Sequence, residues 1–199
     1  MSKPITAAEL LAKLEADPEY LRRRDEKDAE LAAKAARWRV EEAPLLADLR
    51  LVGWNVDSAW DLVNTRTPYP EAIPVLLDHL RRPYSDRVRD GIARALAVPD
   101  ARHAWPSLVA EYRAAPLDSE VKDGLAIAVA QTSSNAVLEQ LITLAFDRSL
   151  GGSRLFLLRP LRRSRQPTAK LALAELADDP ELAKEIASWR KRKRTRSEH

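Results

Sequence analysis

Val88-Arg-Asp-Gly-Ile-Ala-Arg-Ala-Leu-Ala97 and Val121-Lys-Asp-Gly-Leu-Ala-Ile-Ala-Val-Ala130 are two versions of one stretch, set 33 positions apart. Six of the ten positions are identical and the apolar positions coincide. A fixed period of this kind marks one supersecondary unit used repeatedly, each copy burying its apolar face against the next. Just upstream of each copy, Ala72-Ile-Pro-Val-Leu-Leu-Asp-His-Leu-Arg81 aligns with Ala104-Trp-Pro-Ser-Leu-Val-Ala-Glu-Tyr-Arg113. Both carry Pro near the start, where a helix has no internal partner for that N–H. Both place apolar residues at helical spacing: Ile73, Leu76, Leu77 and Leu80 against Trp105, Leu108, Val109 and Tyr112. The unit is therefore a helix, a short turn and a second helix in about 33 residues.

Fainter copies flank these two. Pro44-Leu-Leu-Ala-Asp-Leu-Arg50 leads into Gly53, a C-cap candidate, and Val56 to Val63 stands where Val88 and Ile92 stand. Downstream, Leu138, Leu141 and Ile142 repeat the first helix, Gly151-Gly152 reads as a turn, and Arg154 to Arg163 supplies a second helix bearing Pro160. A shortened last pair runs from about Pro167 to Lys191, with Asp179-Pro180 opening its second helix.

The second-helix pattern resembles that of HEAT-repeat proteins, of the small bacterial type. Their second helix typically carries an Asp, then Val-Arg, then small and aliphatic residues ending in Leu. Here the matching residues are Asp86-Arg-Val-Arg89 and Ala95-Leu96; the second copy has Asp118 three residues before Val121, and Lys122 in place of Arg. The resemblance covers roughly 44–190 and is carried by the two central units. It implies an all-α, right-handed α-α superhelix (an armadillo-type α-solenoid of HEAT-like repeats, about four to five helix pairs) with the second helices on the concave side. It also implies a role in protein binding. The rival all-α architecture is an irregular helical bundle.

Residues 1–43 read differently, as a helical N-terminal cap or arm. Thr6-Ala-Ala-Glu9 is a capping-box pattern before Leu10, Leu11 and Leu14. Asp17-Pro18 starts a longer helix through about Arg39, charged on nearly every side, with a thin stripe of Tyr20, Leu21, Leu31, Ala35 and Trp38. That composition fits a solvated helix laced with i,i+4 pairs, or an arm that meets a partner or a second copy.

At 199 residues and 45% hydrophobic, the chain can bury a substantial core. It has no cysteine, so disulfide and thiolate chemistry are excluded. No leader pattern and no apolar run of about 18 residues occurs, so a soluble, cytoplasmic protein with no membrane partner is expected. Charge is lopsided. Residues 1–147 carry 19 Lys/Arg against 24 Asp/Glu, and residues 148–199 carry 14 against 6, so a net of −5 precedes a net of +8. From Arg148 to Lys170 there are seven basic residues and no acid. Such a patch attracts phosphate backbones or an acidic protein surface. Arg154, Arg159, Arg162, Arg163 and Arg165 form the candidate basic patch, and 191–199 is expected to be a disordered basic tail. Aromatic interleaving, which would favour stacking on single strands, is limited to Phe156 and Trp189.

No catalytic constellation is legible. His79 and His103 read as surface or boundary residues without a second ligand at metal spacing, so neither metal nor cofactor is expected. If Val88, Ile92 and Leu96 face the core, then Asp90, Gly91 and Arg94 fall on the other side, with Asp123, Gly124 and Ile127 as their counterparts. A helical Gly costs about 1 kcal/mol relative to Ala, so its recurrence signals close approach of something. That is either a neighbouring second helix or a partner segment in a shallow groove floored by the paired acids. Trp54, Trp60 and Trp105 read as core or inter-repeat fillers, and Trp38 and Trp189 as partly exposed residues. The function expected is non-catalytic protein interaction through the concave face of the repeats, with a partner of unspecified identity. The alternative is nucleic-acid binding through the basic end. A minor one is a HEAT-like DNA glycosylase, in which Trp60, Asp90, Asp123 and the Arg154–Arg165 run would imitate a concave carboxylate beside aromatics.

Overall fold

The computed structural model describes residues 5–189; the basic tail expected at 191–199 lies outside them. The protein is all-helical, with no strand among the described residues. Packing divides the chain into two compact units, with the division after Glu41.

The first unit holds α1 (Ala7–Glu15) and the start of α2 (Pro18–Leu51). Thr6 and Glu9 close a capping box, each backbone N–H donating to the other's side chain at 3.0 and 3.3 Å. Asp17 Oδ1 accepts from the N–H groups of Glu19 and Tyr20 and so caps α2. Among the described side chains of this unit none is buried: Leu10, Leu11 and Leu31 are all at least half exposed. Arg22–Glu26 and Glu30–Lys34 are i,i+4 pairs on its surface. The helix does not stop near Arg39. It continues through Pro44 to Leu51, because the segment on either side of Pro44 is made of strong helix formers and contains no turn residue. The proline forfeits one hydrogen bond without breaking the helix.

The second unit begins at Glu42 and contains every buried residue described. α2 closes at Gly53, whose φ of 89° suits a residue without Cβ. Gly53 N–H donates to the Arg50 carbonyl and Trp54 N–H to that of Leu49, the paired bonds of a Schellman end. Next come α3 (Ala59–Asn64), α4 (Ile73–Leu80), α5 (Asp86–Ala95), α6 (Trp105–Ala114) and α7 (Glu120–Thr132). After them come α8 (Leu138–Phe146), α9 (Leu158–Arg163), α10 (Pro167–Glu175) and a helical stretch over 183–189. Three first helices, α4, α6 and α8, are each entered through a 3-10 turn: Pro70–Ala72, Pro99–Ala104 and Asn135–Val137. The second helix expected over Arg154–Arg163 is shorter than its repeat position suggests. Residues Arg148–Leu157 are 3-10 with a break at Gly151 (φ 66°), and regular helix starts only at Leu158.

Second helices pack on one another in chain order: α3 on α5, α5 on α7, and α7 on the Arg148–Leu157 stretch. Each of α4, α6 and α8 packs on the second element of its own pair. Leu62, Ile92, Leu96, Leu125, Val129, Leu157 and Leu161 from the second elements, and Leu76, Leu80, Leu108, Tyr112, Leu141 and Leu144 from the first helices, are all essentially inaccessible to solvent.

A basic residue recurs at one register position and does one job. Arg89 Nε donates to the Leu80 carbonyl at the end of α4. Lys122 Nζ donates to the carbonyls of Tyr112 and Ala115 at the end of α6, at 2.7 and 2.9 Å. Arg154 Nη1 donates to the Ala145 carbonyl at the end of α8, and its Nε to that of Gly151. Helix C-termini leave carbonyls without intrahelical partners, and a cation suits them both as donor and against the helix dipole. Lys122 is 1% exposed, and burial lowers its pKa from the ordinary lysine value.

Candidate functional site

The residues expected to line a groove separate into two groups. Asp90, Gly91 and Gly124 are buried inside the helix stack, where a neighbouring second helix, one of the two alternatives expected for them, makes the close approach. A Cβ built on Gly91 would sit 2.8 Å from Trp60 Nε1, and one on Gly124 only 2.2 Å from Asp90 Oδ1. Each glycine thus admits a side chain of the preceding second helix. Asp90 is 4% exposed and binds Arg94 Nε through both oxygens, at 2.9 and 3.0 Å. Burial raises its pKa above the ordinary carboxylate value, against the opposing pull of Arg94. Asp123, Ile127 and Arg94 do retain some access to solvent. α5 packs against α3, α4 and α7, so much of the face turned from the first helix meets neighbours, with Arg87 and Arg94 left part-exposed.

Arg154 leaves the basic patch. Its side chain is 1% exposed and is held by Asp179 at 3.1 Å, by Glu181, and by the two carbonyls already described. Burial works to raise the Asp179 pKa, but Arg154, the Glu181 N–H and Arg148 together hold it below its ordinary value. Arg159, Arg162, Arg163 and Arg165 are exposed. Arg162 lies over the Trp189 ring, 4.6 Å from its centre. Of the residues of the glycosylase-like constellation, Asp90 is enclosed under Arg94 and Arg154 is committed to Asp179, while Asp123 is exposed and Trp60 part-buried.

Other expectations also shift. His79 is wholly buried, with Nε2 2.8 Å from Asp48 Oδ2 and Nδ1 2.7 Å from the Tyr84 hydroxyl. A boundary position for it is therefore corrected. Its buried ring fills the space at the end of α4 because both nitrogens find partners. His103 is exposed. Trp105 is a core filler whose Nε1–H donates to the Val129 carbonyl. Trp54 and Trp60 are only part-buried; Trp54 meets Tyr69 edge-on, and Arg87 lies 4.1 Å over the Trp60 ring. Trp38 and Trp189 are likewise part-exposed. Among the described residues no group of three His, Asp or Glu stands close enough to share a metal ion. None of the described helices is long and apolar enough to cross a membrane.

What the structure does bring together is Ile127 of the expected groove with Arg159 and Arg163 of the expected patch. They line one open cleft of about 590 Å³. Its walls come from three successive connections: Pro99 and Arg102, then Ser133, Ser134 and Asn135, then Ser164 beyond α9. Ile127, Leu138, Leu141, Phe156 and Pro160 give it an apolar floor. Arg102, Arg159 and Arg163 are exposed around it, and none has an ion pair or hydrogen bond with a described residue. No carboxylate, imidazole or thiol lines the cleft. Ser133 already donates to the Ala130 carbonyl, whereas the Gln131, Ser134 and Asn135 side chains are unengaged by described residues. In contrast Arg89, Arg94, Arg113, Arg148 and Arg154 each hold a carboxylate.

With permanent guanidinium cations exposed around it, the cleft is equipped to hold anionic groups. A smaller cleft of about 330 Å³ between α6 and α8 includes Trp105, Val109, Leu144 and Arg113, but Arg113 is already paired with Asp147. Arg102 is the cleft arginine that sequence inspection missed. It stands alone in a turn, outside any basic run, and only the stacking of successive turns carries it to Arg159. No protein-family model matches the chain, and neither does any curated protein or solved structure.

Proposed function

We propose that this protein is a non-catalytic interaction module, a right-handed superhelix of HEAT-like helix pairs that holds a partner protein on the surface of its second helices. The cleft beside α7 and α9 is the principal contact. One observation carries this: three exposed arginines without a described partner surround an apolar floor free of carboxylates. Charges left unpaired around a concave apolar surface offer both an anchor and orientation to a ligand. The close succession of α3, α5 and α7 supports the repeat architecture, because each second helix is fitted to the next by a glycine or alanine contact.

A photo-crosslinking amino acid at position 156, and separately at position 171 on the exposed side of α10, tests the proposal in extract of the source cell. A discrete protein adduct from position 156 that R159E/R163E abolishes, and that position 171 does not form, is the expected result. Equal labelling from both positions, or none from 156, contradicts it.

A further inference from the structure

The chemistry of the cleft specifies its occupant more closely, on the premise that the cleft is the partner site. We infer that it takes an acidic linear segment of a partner protein, anchored by a large apolar side chain on the floor and flanked by carboxylates that meet Arg102, Arg159 and Arg163. Three features converge on this chemistry. The floor of Ile127, Phe156 and Pro160 is apolar and part-accessible, so filling it removes hydrophobic surface from water. The rim carries three fixed positive charges and no negative one. The volume, about 590 Å³, falls in the ordinary range of roughly 300–1,000 Å³ for ligand pockets. That is room for a few side chains, and too little to receive the face of a folded domain.

Carboxylates fit guanidinium forks in a bidentate manner, and apolar anchors seated among such charges supply most of the affinity of a short segment. A nucleic acid fits less well. Its phosphates would face an apolar floor, and Phe156 is the one aromatic side chain lining the cleft, whereas single strands bind to series of stacking surfaces. The amide and hydroxyl groups of Gln131, Ser134 and Asn135 also line the cleft and offer a bound backbone donors and acceptors.

Fluorescence anisotropy on the full chain tests the inference with defined probes. The parent probe is a pool of labelled 12-residue peptides rich in Glu and Asp, with Phe, Leu, Ile or Trp at the centre. Three comparison probes are the same pool with Lys for the acids, the acidic pool with Ser for the apolar residue, and a 20-nucleotide single-stranded DNA. The acidic apolar pool is expected to bind saturably. Binding should weaken at least tenfold with R159E/R163E, whose circular dichroism stays that of the parent chain, and at least tenfold again when Ser replaces the anchor. If the acidic pool fails to bind, or the Lys or Ser pool binds as well as it does, the inference is overturned. DNA binding in preference to the acidic pool overturns it equally. Should the Lys pool bind and I127D abolish that binding, the cleft stands as a partner site and only the acidic specificity falls. If no peptide binds and position 156 yields no adduct, both fall together.

Discussion

Gly124→Ala separates close helix packing from an open groove by the sign of its effect. On an open helix surface, alanine in place of glycine stabilises by about 1 kcal/mol. In this fold the added Cβ would lie 2.2 Å from Asp90 Oδ1, 3.1 Å from the Asp90 carbonyl and 3.3 Å from the Ala93 Cβ. The carboxylate has little freedom to withdraw, being buried and gripped by Arg94. Overpacking of a close-fitted contact costs about 1–3 kcal/mol. Disturbing the charge-assisted Asp90–Arg94 bond adds about 1.5–3 kcal/mol. After the gain in helix propensity, a net loss of about 3 kcal/mol is expected. Urea unfolding followed by circular dichroism measures it as a lower midpoint at unchanged slope. Adding Asp90→Ala should recover part of the loss, because the carboxylate oxygen that clashes is gone; contacts with the Asp90 carbonyl and Ala93 remain. A Gly124→Ala protein as stable as the parent, or more so, would refute the reasoning and return Gly124 to an open surface.

Asp179→Asn should cost about 3 kcal/mol, toward the low end for breaking a buried pair, since Glu181 still holds the Arg154 guanidinium. The same pair imposes a pH dependence. The folded-state carboxyl of Asp179 lies below its ordinary 3.8, so the unfolded chain takes up the proton first. The pair's contribution is therefore full above about pH 4 and is lost as pH falls through the lower, folded-state value. Parent and Asp179→Asn stabilities, measured by urea unfolding, should converge on acidification; a constant gap would contradict this. Lys122→Met keeps the stem but leaves the Tyr112 and Ala115 carbonyls without their donor, and should destabilise by about 2 kcal/mol. A midpoint unchanged from the parent would show that those carbonyls do not depend on the ammonium.

The repeat itself is legible because it is written in apolar spacing: Ile92, Leu125 and their neighbours occupy equivalent positions and are all buried. For Asp90 and Gly91 two readings stay open in the sequence because periodicity identifies which face turns from the first helix, not how many neighbours cover that face. The small residues Ala93 and Gly124 are the marks of the second contact. Arg154 does mislead. In a basic run it looks like one more surface charge, although its register relative to Val88-Arg89 and Val121-Lys122 makes it the next copy of the capping position. Ser153 in place of Val and Phe156 in place of Gly obscure that register, so the third copy emerges only from the fold. His79 is hidden because its partners, Asp48 and Tyr84, lie on different elements at unrelated spacings. The cleft is half legible: Ile127, Arg159 and Arg163 belong to separately recognised features, but their meeting with Arg102 depends on how three turns stack.

The most direct measurement is a titration of the ¹⁵N-labelled full chain with the acidic apolar peptide, followed by two-dimensional amide spectra. Occupancy of the cleft predicts saturable shifts at Ile127, Gln131, Ser134, Phe156, Arg163 and Ser164, while amides of α4 and α6, such as His79 and Glu111, stay in place. Shifts centred on α4 and α6, or none at any of the six cleft amides at saturating peptide, would contradict the account.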